Sequence, residues 1–385
     1  MNILITGARA PAALDLARRC RAAGHTVFMA DSLRFGMAMF SRVVAGRKLL
    51  PSPVEKPDQF VDALRSMIDA HHIELIVPTC EEVFFLSLYR DLLPCSVLVD
   101  DFEKLNAIHN KFEFSRFAGN AFAAVPETHL IESTDQLQGF QTDSIDWVFK
   151  PVYSRFATRA LIGPQPAQLS SIKPAPKMRW VAQRRIRGQE YSTYGIAHAG
   201  VLQAHVCYRS LYRVGQGSGI YFEPVQSDII RQFVETFIRQ TQFTGQIGFD
   251  LIETDQADLF AIEANPRATS GVHLFGKTDA LIKAIVGNSI VGCAEQLVVP
   301  TDSRPVMVEF AMPLWGFIDA LRRHSVRHYF PDLSRARFAT FSLSDVLPTL
   351  ALPLSLMELG AMAMRRRCSL VRASTVDIEW NGQLP

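Results

Sequence analysis

The residues best suited to chemistry lie on two neighbouring apolar runs in the middle of the chain. Asp250 lies in the first run, Glu263 and Asn265 lie in the second, and a short polar turn separates the runs. Because side chains alternate along a strand, Glu263 and Asn265 share one face, and a hairpin brings Asp250 beside them. Two carboxylates and an amide oxygen are hard ligands of the kind that Mg²⁺ takes next to nucleotide phosphates. Arg267 follows directly and adds a fixed cation suited to phosphate or carboxylate.

An alternative interpretation makes Asp250 and Glu263 ordinary solvated residues of a strand. Their neighbours argue against it, because Phe249 and Leu251 flank the first acid and apolar residues also flank the second. Acids in such positions are expected to be partly buried, and a partly buried charge needs a partner.

The elements that must position these residues are a β-hairpin and the helix before it. The runs Gly245–Glu253 and Leu259–Glu263 predict the hairpin. The spacing of apolar residues over Gln226–Gln242 predicts an amphipathic helix. Earlier apolar runs predict four more strands, at Trp147–Pro151, Met178–Ile186, Glu190–His198 and Val201–Cys207. The middle of the chain is therefore expected to be α+β.

The first hundred residues alternate short apolar runs with amphipathic helices, which is typical of a parallel sheet covered by helices. Strands are predicted at Asn2–Thr6, Thr26–Ala30, Glu74–Val77 and Ser96–Val99, and helices at Pro11–Ala23 and Pro57–His71. A helical linker is predicted over Asp101–Phe117. Glu81 and Glu82 follow the end of a predicted strand, where clefts form. One of them faces a substrate there, or both are simply acids at a helix N-terminus.

The composition excludes several classes of protein. A formal net charge of only +2 over 385 residues argues against a nucleic-acid partner. The hydrophobic share of 48% and the charged share of 20% are those of a globular protein, and the length predicts two or three packed units. The six scattered cysteines indicate reduced thiols in a cytoplasmic protein. We expect no secretion signal, and no spanning helix because no uninterrupted run of about 18 apolar residues occurs.

The run Glu263-Ala264-Asn265-Pro266-Arg267 resembles the E-x-N-P-R signature of the ATP-grasp superfamily, which includes biotin carboxylase, carbamoyl phosphate synthetase and many carboxylate–amine ligases. The resemblance implies that the chain uses ATP with Mg²⁺, or with Mn²⁺ in its place. It implies that Asp250, Glu263 and Asn265 hold the metal. It also implies that Arg267 faces the γ-phosphate or the substrate.

The resemblance extends to two lysines that reach the phosphates in this superfamily. Lys111 begins a predicted helix and Lys150 ends a predicted strand, as those lysines do. The alternative for each is a surface charge. The loop after the second lysine is usually rich in glycine, but residues 152–159 contain none. Arg155 is the candidate to replace backbone donors with its side chain, and the alternative is a stiffer lid with lower activity.

The resemblance also places the adenosine. The strand that clamps adenine matches residues 181–186, which implies contacts from the Gln183 side chain and from the backbone around Arg184 and Ile186. Glu190 matches an acid that takes the ribose hydroxyls, and the alternative is a cross-strand surface acid.

The substrate side is implied in the same way. Ser270 and Gly271 belong to the turn after the signature, which lies on the substrate side in similar ligases. Arg209 is the candidate for the substrate carboxylate, in a region that also holds Arg213 and a glycine-rich loop. The alternative is a hairpin tip with solvated arginines.

Together these matches predict an ATP-grasp fold, α/β and α+β, with an N-terminal Rossmann-like parallel domain. The expected units are residues 1–105 (N-terminal domain), 106–187 (linker and lid), 188–300 (subdomain with the metal acids) and 301–385 (helical, apolar extension). The implied function is a ligase that activates a carboxylate as an acyl phosphate and joins it to an amine, releasing ADP and phosphate. A carboxylase, a small-molecule kinase and a non-catalytic nucleotide-binding protein remain as alternatives.

The expected partners are a small-molecule carboxylate and an amine, with a homodimer as an open possibility. The stretch from Val346 to Met364 is apolar and precedes Arg365-Arg366-Arg367. An apolar segment that ends in a basic cluster can rest on an anionic membrane. The alternative is a helical tail packed on the core.

Overall fold

The computed structural model describes residues 1–121, 124–154, 159–176, 178–215, 217–276, 278–287, 296–323 and 326–384. Within them the chain forms three sheets with helices around them. Each sheet supplies one part of the candidate site.

The first sheet is parallel and belongs to the N-terminal domain. Its strands are β1 (Asn2–Thr6), β2 (Thr26–Asp31), β3 (Val44–Leu49), β4 (Leu75–Val77) and β5 (Ser96–Val97), in the order β3-β2-β1-β4-β5. Its helices are α1 (Pro11–Ala22), α2 (Pro57–His71) and α3 (Glu82–Leu88). The predicted parallel α/β domain is confirmed. The edge strand β3 was not predicted, because it buries little besides Val44 and lacks an apolar run.

The linker to the middle of the chain consists of two helices, α4 (Phe102–His109) and α5 (Lys111–Ala121), rather than one. Asn110 separates them in an extended conformation. Its side-chain oxygen accepts hydrogen bonds of 3.1 Å from the backbone N–H groups of Phe112 and Glu113. This satisfies donors that a helix start leaves free, so α5 begins at Lys111.

The second sheet has four strands and forms the lid. They are β6 (Thr128–Ile131), β7 (Trp147–Pro151), β8 (Leu161–Ile162) and β9 (Trp180–Arg184), in the antiparallel order β6-β9-β7-β8. One face carries Trp147, Phe149 and Trp180 into a small core. The other face of β7 and β9 is left for the site.

The third sheet has seven strands in the order β14-β13-β10-β11-β12-β15-β16. They are β10 (Gln189–His198), β11 (Val201–Val214), β12 (Ser218–Val225), β13 (Gly245–Glu253), β14 (Leu259–Asn265), β15 (Val306–Met307) and β16 (Arg337–Phe338). Helix α6 (Asp228–Thr241) packs under the β13–β14 hairpin through Phe233 and Phe237, which contact Phe249. The predicted hairpin and helix are confirmed. Helix α7 (Ala280–Val286) follows.

The C-terminal part is helical, as predicted, but it also contributes β15 and β16 to the third sheet. Its helices are α8 (Phe317–Arg322), α9 (Val326–Arg335), α10 (Leu347–Leu350), α11 (Leu352–Arg366) and α12 (Leu370–Ala373). The last residues return to the N-terminal domain. There the buried Arg9 forms ion pairs with Asp31 and, at 2.6 Å, with Asp377. Trp380 packs against Phe84 and Phe102.

Among the described residues, the helical segment Leu347–Arg366 alone is long and apolar enough to cross a membrane by these two criteria. The expectation of no such segment rested on an uninterrupted run of apolar residues. The segment meets the criteria of length and apolar composition even though prolines and Glu358 interrupt it. Length and composition do not distinguish a helix that crosses a membrane from one that lies flat, so this finding is weak support for crossing.

Candidate active site

The β13–β14 hairpin brings the two acids face to face. Asp250 lies opposite Glu263 in the strand register, and Asn265 lies opposite Gly248. The Asn265 Nδ2 donates a hydrogen bond of 3.2 Å to Asp250, and the Ser192 hydroxyl donates one of 2.7 Å to the other Asp250 oxygen. The three predicted metal ligands therefore lie side by side on one face of the sheet.

The two lysines converge on the same point from different elements. Lys111 at the start of α5 and Lys150 on β7 place their Nζ atoms 3.5 Å and 3.6 Å from one oxygen of Glu263. Both lysines are buried. Lys111 also donates a hydrogen bond of 3.1 Å to the Ser154 carbonyl, in the segment that follows β7. Linker, lid and hairpin thus each supply one charge to a single cluster.

The charges in this cluster perturb one another's pKa values. Burial, together with the nearby Glu263 carboxylate, raises the pKa of Asp250. Burial also opposes ionisation of Glu263, but Lys111 and Lys150 outweigh it and lower the pKa of that carboxyl. Burial lowers the pKa of Lys150, partly offset by Glu263. The carboxylates of Asp250 and Glu263 repel each other, and the two lysines contact Glu263 rather than Asp250. Binding of a further cation at Asp250 is therefore favourable.

Arg267 links the hairpin to the N-terminal domain. It donates a hydrogen bond of 2.9 Å to the Asn265 amide oxygen, and its Nε lies 3.9 Å from the Glu81 carboxylate. His109 lies equally far from Glu81, and burial lowers the pKa of this histidine to about 4, so it is neutral near pH 7. Glu82, at the start of α3, instead accepts a hydrogen bond of 2.7 Å from the Thr6 hydroxyl at the end of β1. Of the two acids considered together from sequence, Glu81 is the one that faces the site.

The adenine and ribose candidates lie on two different sheets. Lys150 pairs with Val181 and Val148 pairs with Gln183, so Gln183 shares the site-facing side of the lid with Lys150. Glu190 lies two residues before Ser192 on β10 and therefore shares the face of Asp250.

The structure offers only limited contacts from Arg184 and Ile186 to an adenine ring. The Arg184 side chain turns to the opposite side of the lid, where it lies 5.2 Å above the Trp147 ring. Its backbone N–H donates to the Glu127 carbonyl at 2.7 Å. Ile186 lies half-buried in the connection between β9 and β10. The two strands joined there belong to different sheets, so this connection links the predicted lid to the sheet that carries the hairpin.

Of the two arginines considered from sequence in this region, Arg213 rather than Arg209 lies on the side of the acids. Arg209 follows Tyr208, which shares the Asp250 face, so its side chain points to the opposite face and pairs with Glu223 at 2.6 Å. The register of β11 then shifts between Ser210 and Arg213. Arg213 forms an ion pair with Glu190 and lowers the pKa of Asp250 through its charge.

The remaining candidates lie at the edge of the site or outside the described residues. Ser270 and Gly271 begin a short 3₁₀ helix, Ser270–Leu274. A Cβ atom at Gly271 would lie 2.5 Å from the Tyr194 side chain, so this glycine serves close packing on the sheet. Arg155 lies outside the described residues.

Ser192, Arg213 and Glu81 contact the predicted cluster, although the signature does not include them. The sequence could have indicated Ser192 as a site residue, since it lies two residues from Glu190 on a strand and shares its face. Glu81 carries a signal too, at the end of a parallel strand. The position of the Arg213 side chain depends on the irregular register of β11, and no pattern in the sequence predicts that register.

A separate cavity of about 430 Å³ lies beside the segment that follows β7. Its lining includes Ser154, whose carbonyl accepts the hydrogen bond from Lys111. The charged residues of the lining are Arg159, Arg179, Arg366, Arg372 and Glu379. The cavity is therefore basic, and the C-terminal residues close one side of it.

Residues 108–271 match the family described as ATP-grasp domain, so this part of the chain is an ATP-grasp domain. The match spans both lysines, both acids and the E-x-N-P-R run. The resemblance to the ATP-grasp superfamily inferred from the sequence is confirmed for these residues. No curated protein sequence matches the chain.

Solved structures share the fold at low sequence identity. N5-carboxyaminoimidazole synthetase from Staphylococcus aureus is 14% identical, with a TM-score of 0.59, over 79% of this chain and 80% of that one. L-amino acid ligase from Bacillus licheniformis is 14% identical, with a TM-score of 0.56, over 74% of each chain. Biotin carboxylase from Campylobacter jejuni is 12% identical, with a TM-score of 0.57, over 76% of this chain and 72% of that one. The Staphylococcus enzyme has also been solved in complex with ADP. The predicted ATP-grasp fold is confirmed, and the domain supports binding of ATP in this cleft.

Proposed function

We propose that the protein is an ADP-forming ligase that activates a carboxylate with ATP and joins it to an amine. One observation carries the proposal: Lys111 and Lys150 converge on Glu263 directly beside Asp250 and Asn265. Two buried lysines around a carboxylate hold the positive charge that a triphosphate needs. The ligase names of the structural neighbours support the same class.

The proposed reaction has two steps. An oxygen of the substrate carboxylate attacks the γ-phosphorus in line, and the bond to the β-bridging oxygen breaks, so that ADP leaves. The amine nitrogen then attacks the acyl carbon, phosphate leaves with the bonding pair, and the nitrogen loses a proton. Lys111 and Lys150 orient the phosphates and offset their charge, and Arg267 faces the transferred group. The work of the protein is positioning and charge compensation.

We assign Mg²⁺, with Mn²⁺ as a substitute, to Asp250, Glu263 and Asn265. The donor set fits, because burial and the facing Glu263 carboxylate raise the pKa of Asp250, and a divalent cation would relieve the repulsion between the two acids. When bound, the metal neutralises phosphate charge. Among the described residues no three acidic, histidine or cysteine side chains form a cluster. Phosphate oxygens and water are therefore needed to complete the coordination.

We propose that the basic cavity beside Ser154 holds an acidic part of one substrate. Four arginines line it against one glutamate, and Arg–carboxylate or Arg–phosphate contacts suit that balance. A screen of substrates for ADP release should therefore include carboxylates that carry a second acidic group. We place the reaction in the cytoplasm, which the free thiols of the described cysteines support.

The test is a coupled assay of ADP release over pairs of carboxylates and amines, with MgATP. We expect release that needs both substrates, and a fall of about a hundredfold or more in turnover for Glu263→Gln. The matched control is Glu253→Gln, an acid at the other end of the same hairpin, which should behave as the parent. Glu263→Gln with at least half of the parental turnover would exclude the proposed site.

The same assay separates the alternatives. ADP release that needs an acceptor but no amine, with phosphate retained on the acceptor, would identify a kinase. Binding of MgATP without ADP release across the whole screen would identify a non-catalytic nucleotide-binding protein.

A further inference from the structure

Helix α11 turns its polar side towards the protein. Glu358 accepts hydrogen bonds of 3.0 Å and 2.8 Å from the backbone N–H groups of Arg34 and Phe35. The Ser355 hydroxyl donates to the Phe35 carbonyl. These contacts fix the rotation of the helix against the N-terminal domain, so the side opposite to Glu358 must face outwards.

The outward side of α11 is apolar. None of the fifteen described residues of this helix is buried. Met357 and Met364 are 71% and 78% exposed. Exposed residues recur at helical spacing from α10 through α11, at Leu350, Leu354, Met357, Ala361 and Met364. A surface helix of a globular protein normally hides this stripe and exposes the polar one.

Apolar side chains are also exposed on the segments before and after α11. Leu343 is 85% exposed before it, and Leu347 is exposed on α10. Leu370 and Val371 are exposed on α12. Exposed apolar side chains this numerous on neighbouring segments mark an interaction site.

The charges around this surface are positive. Residues 346–373 contain four arginines, at 365, 366, 367 and 372, and the single acid Glu358. That acid points inwards to Arg34 and Phe35, so it does not balance the outer charge. Arg366 pairs with Glu55 of the N-terminal domain, whereas Arg365 and Arg367 flank the apolar stripe at its C-terminal end.

We propose that α10, α11 and α12 form a docking surface for an anionic lipid bilayer, on which α11 lies flat. Apolar side chains on one face with arginines at the end match an interfacial helix, which inserts its apolar side and holds anionic headgroups. The contacts of Ser355 and Glu358 with Phe35 run along the inner side of the helix, which opposes a spanning orientation. A second copy of this surface offers the arginines no outward acid to pair with, since its single acid Glu358 points inwards, so lipid fits the charge better.

Helices α11 and α12 supply Arg366, Val371 and Arg372 to the cavity proposed for a substrate, but the residues varied in the test below, at 354, 357, 365 and 367, lie outside that cavity and outside the metal, lysine and adenine candidates. Vesicle binding needs neither ATP nor substrate. Loss of one function therefore leaves the other testable.

The test is co-sedimentation of the full chain with vesicles of phosphatidylcholine alone and with about 30% phosphatidylserine. We expect binding to the anionic vesicles that weakens with added salt. The variant Leu354→Glu/Met357→Glu should bind about tenfold more weakly or worse. The variant Arg365→Gln/Arg367→Gln should lose about twenty-five-fold on anionic vesicles and little on neutral ones, at roughly fivefold for each arginine.

The matched control is Ile229→Glu on α6, where an exposed apolar side chain lies outside the surface. It should bind vesicles as the parent does. Thermal unfolding midpoints equal to that of the parent show that each variant folds. Parent protein that stays in the supernatant with anionic vesicles, or a Leu354→Glu/Met357→Glu variant that binds equally well, overturns the proposal. So does a parental dimer without lipid binding that this variant makes monomeric, since the surface is then an interface between copies.

Discussion

Helices α6 and α11 have 14 and 15 residues, and they turn opposite faces towards the protein. Helix α6 buries Phe233 and Phe237 under the hairpin, and Ser227 caps its first turn by accepting from the Ile230 N–H at 3.4 Å. Helix α11 shows no side-chain hydrogen bond at its N-cap.

An apolar stripe on a helix therefore does not by itself predict that the stripe is buried. Helix α6 has an apolar partner surface in Phe249 and its neighbours. Helix α11 is fixed by the hydrogen bonds that Glu358 accepts from the N–H groups of residues 34 and 35 and by the one that Ser355 donates to the carbonyl of residue 35, and these leave the stripe outside. The first arrangement supports the hairpin that carries Asp250 and Glu263, and the second leaves a surface for the proposed partner.

The largest effect is expected from Phe237→Ala on α6. Phe237 is fully buried, and its ring centroid lies 4.8 Å from that of Phe249, next to Asp250. The cavity left behind should lower the free energy of unfolding by about 3–5 kcal/mol. Urea unfolding measures it. A loss below about 1 kcal/mol would mean that α6 does not hold the hairpin by packing.

An intermediate effect is expected from Asp377→Asn, because polar contacts also attach the end of the chain. Arg9 keeps Asp31 as a partner, so the loss should be about 1–3 kcal/mol. Although burial opposes ionisation, hydrogen bonds and the charge of Arg9 lower the pKa of Asp377. Its contribution is therefore full above the ordinary pKa of about 4 and is lost as pH falls through the lower folded value.

The measurement is urea unfolding of parent and variant at several pH values. The difference between them should be present at pH 7 and shrink below about pH 4. A difference that is equal at both ends of this range would contradict the ionic role of Asp377.

The smallest effect on stability is expected from Met357→Ser on α11. The side chain is mostly exposed, so the free energy of unfolding should change by no more than about 0.5 kcal/mol. The same urea titration checks it against Phe237→Ala. A loss comparable to that of Phe237→Ala would show that the stripe on α11 is covered within the protein, and the comparison of the two helices would fail.

Features that depend on a local pattern could be predicted from the sequence. The hairpin and the two lysine-bearing elements follow from apolar runs with turn residues between them, and the structure brings Asp250, Glu263 and Lys150 together. The metal and substrate roles of these residues stay predictions.

Features that depend on contacts across the fold could not be predicted in this way. The short strands β15 and β16 carry two residues each, too few for a visible alternation. The register shift in β11, which brings Arg213 rather than Arg209 to the site, is set by pairing with β12. The outward stripe of α11 is decided by Glu358 meeting a loop more than 300 positions earlier.

The ion pair between Arg9 and Asp377 joins residues 368 positions apart. A ribosome adding about 5–20 residues per second needs about 20–75 s between them. During that interval the nascent N-terminal domain holds Arg9 with Asp31 alone, and the aromatic pocket of Trp380 stays open. We therefore expect the emerging chain to expose the apolar rings of Phe84 and Phe102 until its last residues are made.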